Sequence, residues 1–111
     1  MNLKPEIFEK LRFYCKENSN EEVCGFIVEK DNAIDFIVVD NKHPNKENYA
    51  LISPKDYLNI KNKYTILYHF HSHIDNSDFS ETDIFYQKYH NMHMLLYNIN
   101  EDVFKERKCK L

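Results

Sequence analysis

The sequence predicts an α/β (α+β) fold, a single mixed β-sheet flanked by helices. Three observations carry this expectation. The chain has 111 residues, the size of one ordinary domain, so residues 1–111 read as a single domain. Segments with apolar residues at three- and four-residue spacing alternate with short β-rich runs, the pattern of helices interleaved with strands. One of those runs, Tyr64 to Phe70, is apolar on both faces, as a central strand covered from both sides must be.

Each element follows in order. Pro5 opens a first helix at its N1 position, where a missing N–H costs nothing. Ile7, Phe8, Leu11, Tyr14 and Cys15 give that helix one apolar face, and the polar run from Glu17 to Glu22 ends it. Two β-rich runs, Val23 to Glu29 and Ile34 to Val39, flank Lys30-Asp31-Asn32, which reads as a hairpin turn. After the polar stretch Asn41 to Asn48, Tyr49 to Ile52 reads as a short strand. Ser53 caps a second helix with Pro54 at N1, carrying Tyr57, Leu58 and Lys61. The strand Tyr64 to Phe70 runs straight into His71-Ser72-His73. A loop, Ile74 to Phe79, precedes a third helix from Ser80 to about Tyr89, whose start Ser80-x-x-Asp83 has the form of a capping box. Met92 to Tyr97 is a further strand, and Val103 to Cys109 an edge strand of alternating charge.

Composition removes several classes of function. The length excludes a (β/α)₈ barrel, which needs about 250 residues. Fifteen basic against eighteen acidic residues give a net charge of −3, so no general attraction to phosphate backbones or anionic lipid follows, and neither nucleic acid nor membrane is an expected partner. The one basic stretch, Lys105, Arg107, Lys108 and Lys110, is interleaved with Glu101, Asp102 and Glu106 and reads as a solvated face. The three cysteines, Cys15, Cys24 and Cys109, share no Cys-x-x-Cys spacing and read as reduced thiols of a cytosol-like compartment. With no apolar leader and no run of about 18 apolar residues, the expected location is cytoplasmic. Abundant Lys, Asn and Ile match the bias of AT-rich genomes, as in many phages and low-GC bacteria.

The histidines carry the chemistry. Residues two apart on a strand point to the same side, so His71 and His73 can converge on one ion. Neutral imidazole is a good ligand for zinc, and a catalytic zinc has three protein ligands and one water. Asp83, in the first turn of the following helix, is a candidate third ligand, because that turn returns over the C-terminal end of the strand. Taken alone, His-x-His is most often a polar strand edge, and Ser80-x-x-Asp83 is most often a cap satisfying orphan helix N–H groups. Their combination at short range is what singles them out. His69 shares the face of His71 and reads as a core residue. His90 and His93 straddle a helix end and a strand start and do not form a ligand pair. Cys24 has no positioned base to make it a nucleophile.

His71-Ser72-His73 followed by Ser80-Glu81-Thr82-Asp83 resembles the metal motif of the JAMM (MPN-plus) zinc metallopeptidases. Glu21-Glu22-Val23-Cys24-Gly25-Phe26 resembles the family's Glu-x-Cys-Gly segment, with Glu22 on the motif glutamate. Asn41 and the segment from Tyr49 to Tyr57 resemble the small bacterial and phage JAB-type members, and the likeness spans roughly Glu21 to Asn98. The resemblance implies an MPN/JAB (cytidine deaminase-like) domain with zinc (Zn²⁺) held by His71, His73 and Asp83. It implies Glu22 as the general base toward water and then toward the leaving amine, and Ser80 as a hydrogen-bond donor to the water or oxyanion. The substrate it implies is a peptide or ubiquitin-like protein, cut at a peptide or isopeptide bond. Three features depart from the family: six residues rather than seven separate His73 from Ser80, Ile74 stands where proline is usual, and Tyr68 stands where glycine is frequent. Glu21 is an alternative base, and strand alternation allows only one of the two to face the site. A catalytically silent MPN-like scaffold and a metal-free adaptor remain the rival classes. A cupin-type site is disfavoured because one glycine leaves too few tight turns for a small β-barrel.

Overall fold

The computed structural model describes residues 3–75 and 77–109. Asn76 of the predicted loop and Lys110 of the basic stretch lie outside the described residues. The elements are α1 (Pro5–Glu17), β1 (Cys24–Lys30), β2 (Ala33–Val39), α2 (Pro54–Lys63), β3 (Thr65–His73), α3 (Glu81–His90), β4 (His93–Asn98) and β5 (Val103–Arg107). The five strands form one mixed sheet in the order β2-β1-β3-β4-β5. Only the β3–β4 pair is parallel, so it needs a crossover, and α3 supplies it.

Local chemistry explains the joints. Asp31 and Asn32 have φ of 54° and 66°, the two positive values a type I′ turn demands, and the register Lys30↔Ala33 leaves them as a two-residue loop. Pro5 stands in the first turn of α1. The Ser53 hydroxyl accepts the Asp56 N–H at 3.1 Å to start α2. On one face of the sheet, Ile7, Leu11 and Cys15 of α1 pack with Val23, Ile27, Tyr68, Phe70, Leu95 and Tyr97. On the other, Cys24, Phe26 and Val28 pack with Ile52 and with Ile60 of α2. Fully burying one such side chain is worth roughly 1.5–3 kcal/mol.

Two expected strands differ. Tyr49–Ile52 is not a strand. The buried Asn41 side chain takes the place of a strand partner there: its Nδ2 donates to Tyr49 O at 2.8 Å and its Oδ1 accepts from Leu51 N at 3.0 Å. β5 stops at Arg107 rather than Cys109, because the Cys109 N–H turns to the His93 ring (Nδ1, 3.1 Å) instead of a backbone carbonyl.

α3 is docked in an unusual way. Its buried residue is Gln87, which donates to Arg107 O at 2.7 Å and accepts from Arg107 Nε at 2.8 Å. Phe85 and Tyr89 point outward, 70% and 77% exposed.

Candidate metal centre

β3 extends through both histidines, so pleating puts the rings of His69, His71 and His73 on one face of its C-terminal half. There the parallel register sets His71 beside Leu96 and His73 beside Asn98. Both rings are buried, at 1% and 5% exposure. Their Nε2 atoms lie 3.2 Å apart. The Asp83 Oδ2 atom approaches to 3.2 Å from His71 Nε2 and 3.5 Å from His73 Nε2. Glu22 Oε1 lies 4.0 Å from His73 Nε2. Donor atoms of Glu22, His71 and His73 lie within 4.8 Å of one another.

This donor set fits a metal ion. Two atoms bound at about 2.0–2.1 Å to a tetrahedral ion stand about 3.3–3.4 Å apart, and the triangle of His71, His73 and Asp83 has edges of 3.2, 3.2 and 3.5 Å. Nitrogen and carboxylate oxygen are the ligand types zinc accepts. His73 is oriented from behind: its Nδ1 lies 3.2 Å from Ser77 O and 3.0 Å from Ser77 Oγ. With its proton on Nδ1 directed at that carbonyl, the ring presents a bare Nε2 to the site. Ser77 is in turn fixed, its N–H donating to Asp75 Oδ1 at 3.0 Å and its carbonyl accepting from Asn98 Nδ2 at 3.2 Å. Asn98 and Ser77 were not legible as site residues, although Asp75-x-Ser77 has the form of an Asx-turn. Among the described residues His71 Nδ1 has no hydrogen-bond partner.

Ser80 and Asp83 form a cap, and Asp83 also faces the site. Ser80 Oγ accepts the Asp83 N–H at 3.1 Å, and Asp83 Oδ2 accepts the Ser80 N–H at 2.8 Å, a complete capping box. The same Oδ2 is the atom nearest the two imidazoles, so the cap aims the carboxylate.

Charge and burial oppose one another here. Burial pushes the Glu22 carboxyl up to about 7, with His73 pulling it down and Asp83 and Asp75 pushing it further up. Burial also acts against the Asp83 carboxylate, but hydrogen bonds from His71 and His73 hold it far below its ordinary value. Burial works against protonated His73, and Asp83 and Glu22 outweigh it and raise the group. His69 is pushed down to about 3 chiefly by burial. It sits between the rings of Phe26 (5.7 Å) and Tyr86 (4.9 Å) as a core residue.

Glu22 lies just ahead of β1 rather than within it, and it is buried while Glu21 is half-buried. Of the two glutamates, Glu22 is the one grouped with the histidines. Its main chain is held by Lys46 O, which accepts the Glu22 N–H at 2.7 Å, and by Asn41 Nδ2, which donates to Glu22 O at 3.0 Å. Burial pushes the Cys24 and Cys15 thiols up to about 12. His93 is engaged with Cys109 and His90 with the rings of Tyr86 and Tyr57.

A mixed five-stranded sheet with helices on both faces, and a buried histidine–carboxylate cluster at the end of its parallel strand pair, defines an α+β domain of the JAB type. The chain belongs to the prokaryotic homologues of the JAB domain: that family model matches residues 4–110. Among solved structures, the solution structure of protein DSY2949 from Desulfitobacterium hafniense is similar in fold, with a TM-score of 0.64 at 14% identity over 95% of this chain and 88% of that one. No curated protein sequence matches. Among the described residues no helix is long and apolar enough to cross a membrane.

Proposed function

We propose that this JAB domain is a zinc-dependent hydrolase that cuts a peptide or isopeptide bond in a peptide or ubiquitin-like protein. The observation that carries the reading is the donor triangle of His71, His73 and Asp83, with edges of 3.2–3.5 Å, and the Glu22 carboxylate beside it. A bound zinc ion supplies charge to polarise a carbonyl and brings the pKa of water to about 7. Glu22 takes the proton of the attacking water and returns it to the leaving amine. A carboxyl held near neutrality can do both, and such acid–base help is worth on the order of 10²–10⁴ in rate. Ser80 Oγ is used as an acceptor by the Asp83 N–H, which leaves its O–H free to donate to the developing oxyanion.

Elemental analysis of the purified protein beside His71→Ala tests the site. About one zinc per chain, lost in the variant, is the expected result. No zinc in either after reconstitution refutes the reading and leaves a scaffold as the function. Glu22→Gln separates chemistry from binding: it is expected to keep zinc and lose cleavage of a fluorogenic peptide library, and full activity in it would remove Glu22 from the mechanism.

A further inference from the structure

Glu22 occupies a place the sheet does not secure. The β1–β2 ladder ends at Cys24↔Val39 and the β1–β3 ladder at Cys24↔His71, so the peptide unit joining Glu22 to Val23 lies beyond both. It is nonetheless buried and satisfied. Asn41 Nδ2 donates to its carbonyl, Glu22 O, at 3.0 Å. Its N–H, that of Val23, donates to Ser72 Oγ at 2.8 Å. One peptide plane is thus gripped from both sides by two buried side chains. Ser72 is the residue between the two histidines, with its side chain on the opposite face of β3, and its own N–H returns to Val23 O at 2.8 Å.

Asn41 is fully committed. Its second N–H reaches Tyr49 O, and its oxygen accepts from His43 N and Leu51 N, each at 3.0 Å. An asparagine offers two donor hydrogens and two acceptor sites, and all four are used. Asn41 therefore ties the 42–51 segment to Glu22, and that segment holds the Glu22 N–H through Lys46 O.

We propose that Asn41 and Ser72 are the positioning residues of the base. Ser72 fixes Glu22 relative to the strand that carries His71 and His73, and Asn41 fixes it relative to the 42–51 segment. The proposal rests on the reading of Glu22 as general base, and two substitutions separate it from that reading. Asn41→Asp keeps both acceptor bonds to the 42–51 segment but loses the donors to Glu22 O and Tyr49 O. Ser72→Ala removes the acceptor for Val23 N–H.

The test has two arms. In native-state amide exchange, Glu22 and Val23 are expected to exchange about tenfold faster in Asn41→Asp, the effect of losing the bond to Glu22 O, while His71 and His73 stay as protected as in wild type. Unchanged exchange at both positions overturns the proposal, whether or not the protein cuts peptides. If the wild type cleaves a fluorogenic peptide library, both variants are expected to lose about 10²-fold in kcat, the cost of a small misplacement, with KM and zinc content unchanged. In a Glu22→Gln background neither should lower the residual rate further. Wild-type kcat in the zinc-loaded variants, or an undiminished loss in the Glu22→Gln background, overturns it. If Asn41→Asp does not fold, Ser72→Ala carries the same readouts. A wild type that binds zinc but cleaves nothing refutes the hydrolase reading alone.

Discussion

Replacing Glu22 with glutamine should make the metal-free protein more stable at neutral and alkaline pH. Glu22 is buried and its carboxyl stands at about 7 in the folded chain, against an ordinary value of 4.5. Below pH 4.5 the carboxyl is protonated in both folded and unfolded chains and contributes nothing to the pH dependence. Between 4.5 and 7 the unfolded chain has lost the proton and the folded chain keeps it, so stability falls as pH rises. Above 7 the carboxylate is ionised in both states, and the whole penalty, about 3 kcal/mol, is present. Glutamine has no such titration. Urea unfolding of the EDTA-treated proteins, followed by circular dichroism from pH 4.5 to 8, should therefore show two curves that run together in acid and separate by about 3 kcal/mol at pH 8. Groups that do not interact with Glu22 cancel from the difference; His73, which Glu22 helps to raise, does not. Parallel curves across the range would refute the argument, because they would mean that Glu22 is as well solvated folded as unfolded.

Other outcomes follow from single contacts. Ser80→Ala removes the cap of α3 and should cost about 1 kcal/mol in urea unfolding. Because that cap also aims Asp83, zinc affinity measured by competition with a chelator should fall with it. Gly25→Ala places a Cβ 2.1 Å from Ile37 O in the β1–β2 ladder; relief requires the backbone to move, and a loss of at least about 1–3 kcal/mol is expected in the same assay. Titration of the native protein with a disulfide reagent should label one thiol per chain, at Cys109, because Cys15 and Cys24 are buried with thiols pushed up to about 12. Rapid labelling of three thiols would contradict the packing of both sheet faces.

The architecture was legible because its signals are local. Pro5 and Pro54 mark helix starts, Asp31-Asn32 makes a tight turn, and the run from Ile66 to Phe70, apolar on both faces, belongs in the middle of a sheet. His71, His73 and Asp83 could be paired in advance because strand pleating and a helix start are short-range facts. The misreading at Tyr49–Ile52 had a non-local cause. The Tyr49 carbonyl and the Leu51 N–H of that extended segment are met by the side chain of Asn41, and nothing in a run of four residues announces such a partner. Ser77 and Asn98 were missed for the same reason: each supports His73 only because the loop and the neighbouring parallel strand converge there. A capping role and a place beside the histidines are not alternatives for Asp83, since one oxygen atom both accepts the Ser80 N–H and lies nearest the two imidazoles.

The way α3 is fastened has a thermodynamic consequence. It is held by the Gln87–Arg107 pair, by the rings of Tyr86 and His90, and by Asp83 reaching the histidines, with no apolar side chain buried as deeply as those of α1. Grip on an ion and attachment of the helix are then two readings of one free energy. On the proposed reading, an ion bound only with the helix docked would stabilise that docking, and a helix undocked for a larger fraction of the time would bind the ion more weakly in proportion to the docked fraction lost. Substitutions at Gln87 or Arg107, which bond to each other, would then tune metal retention in a protein that holds an ion.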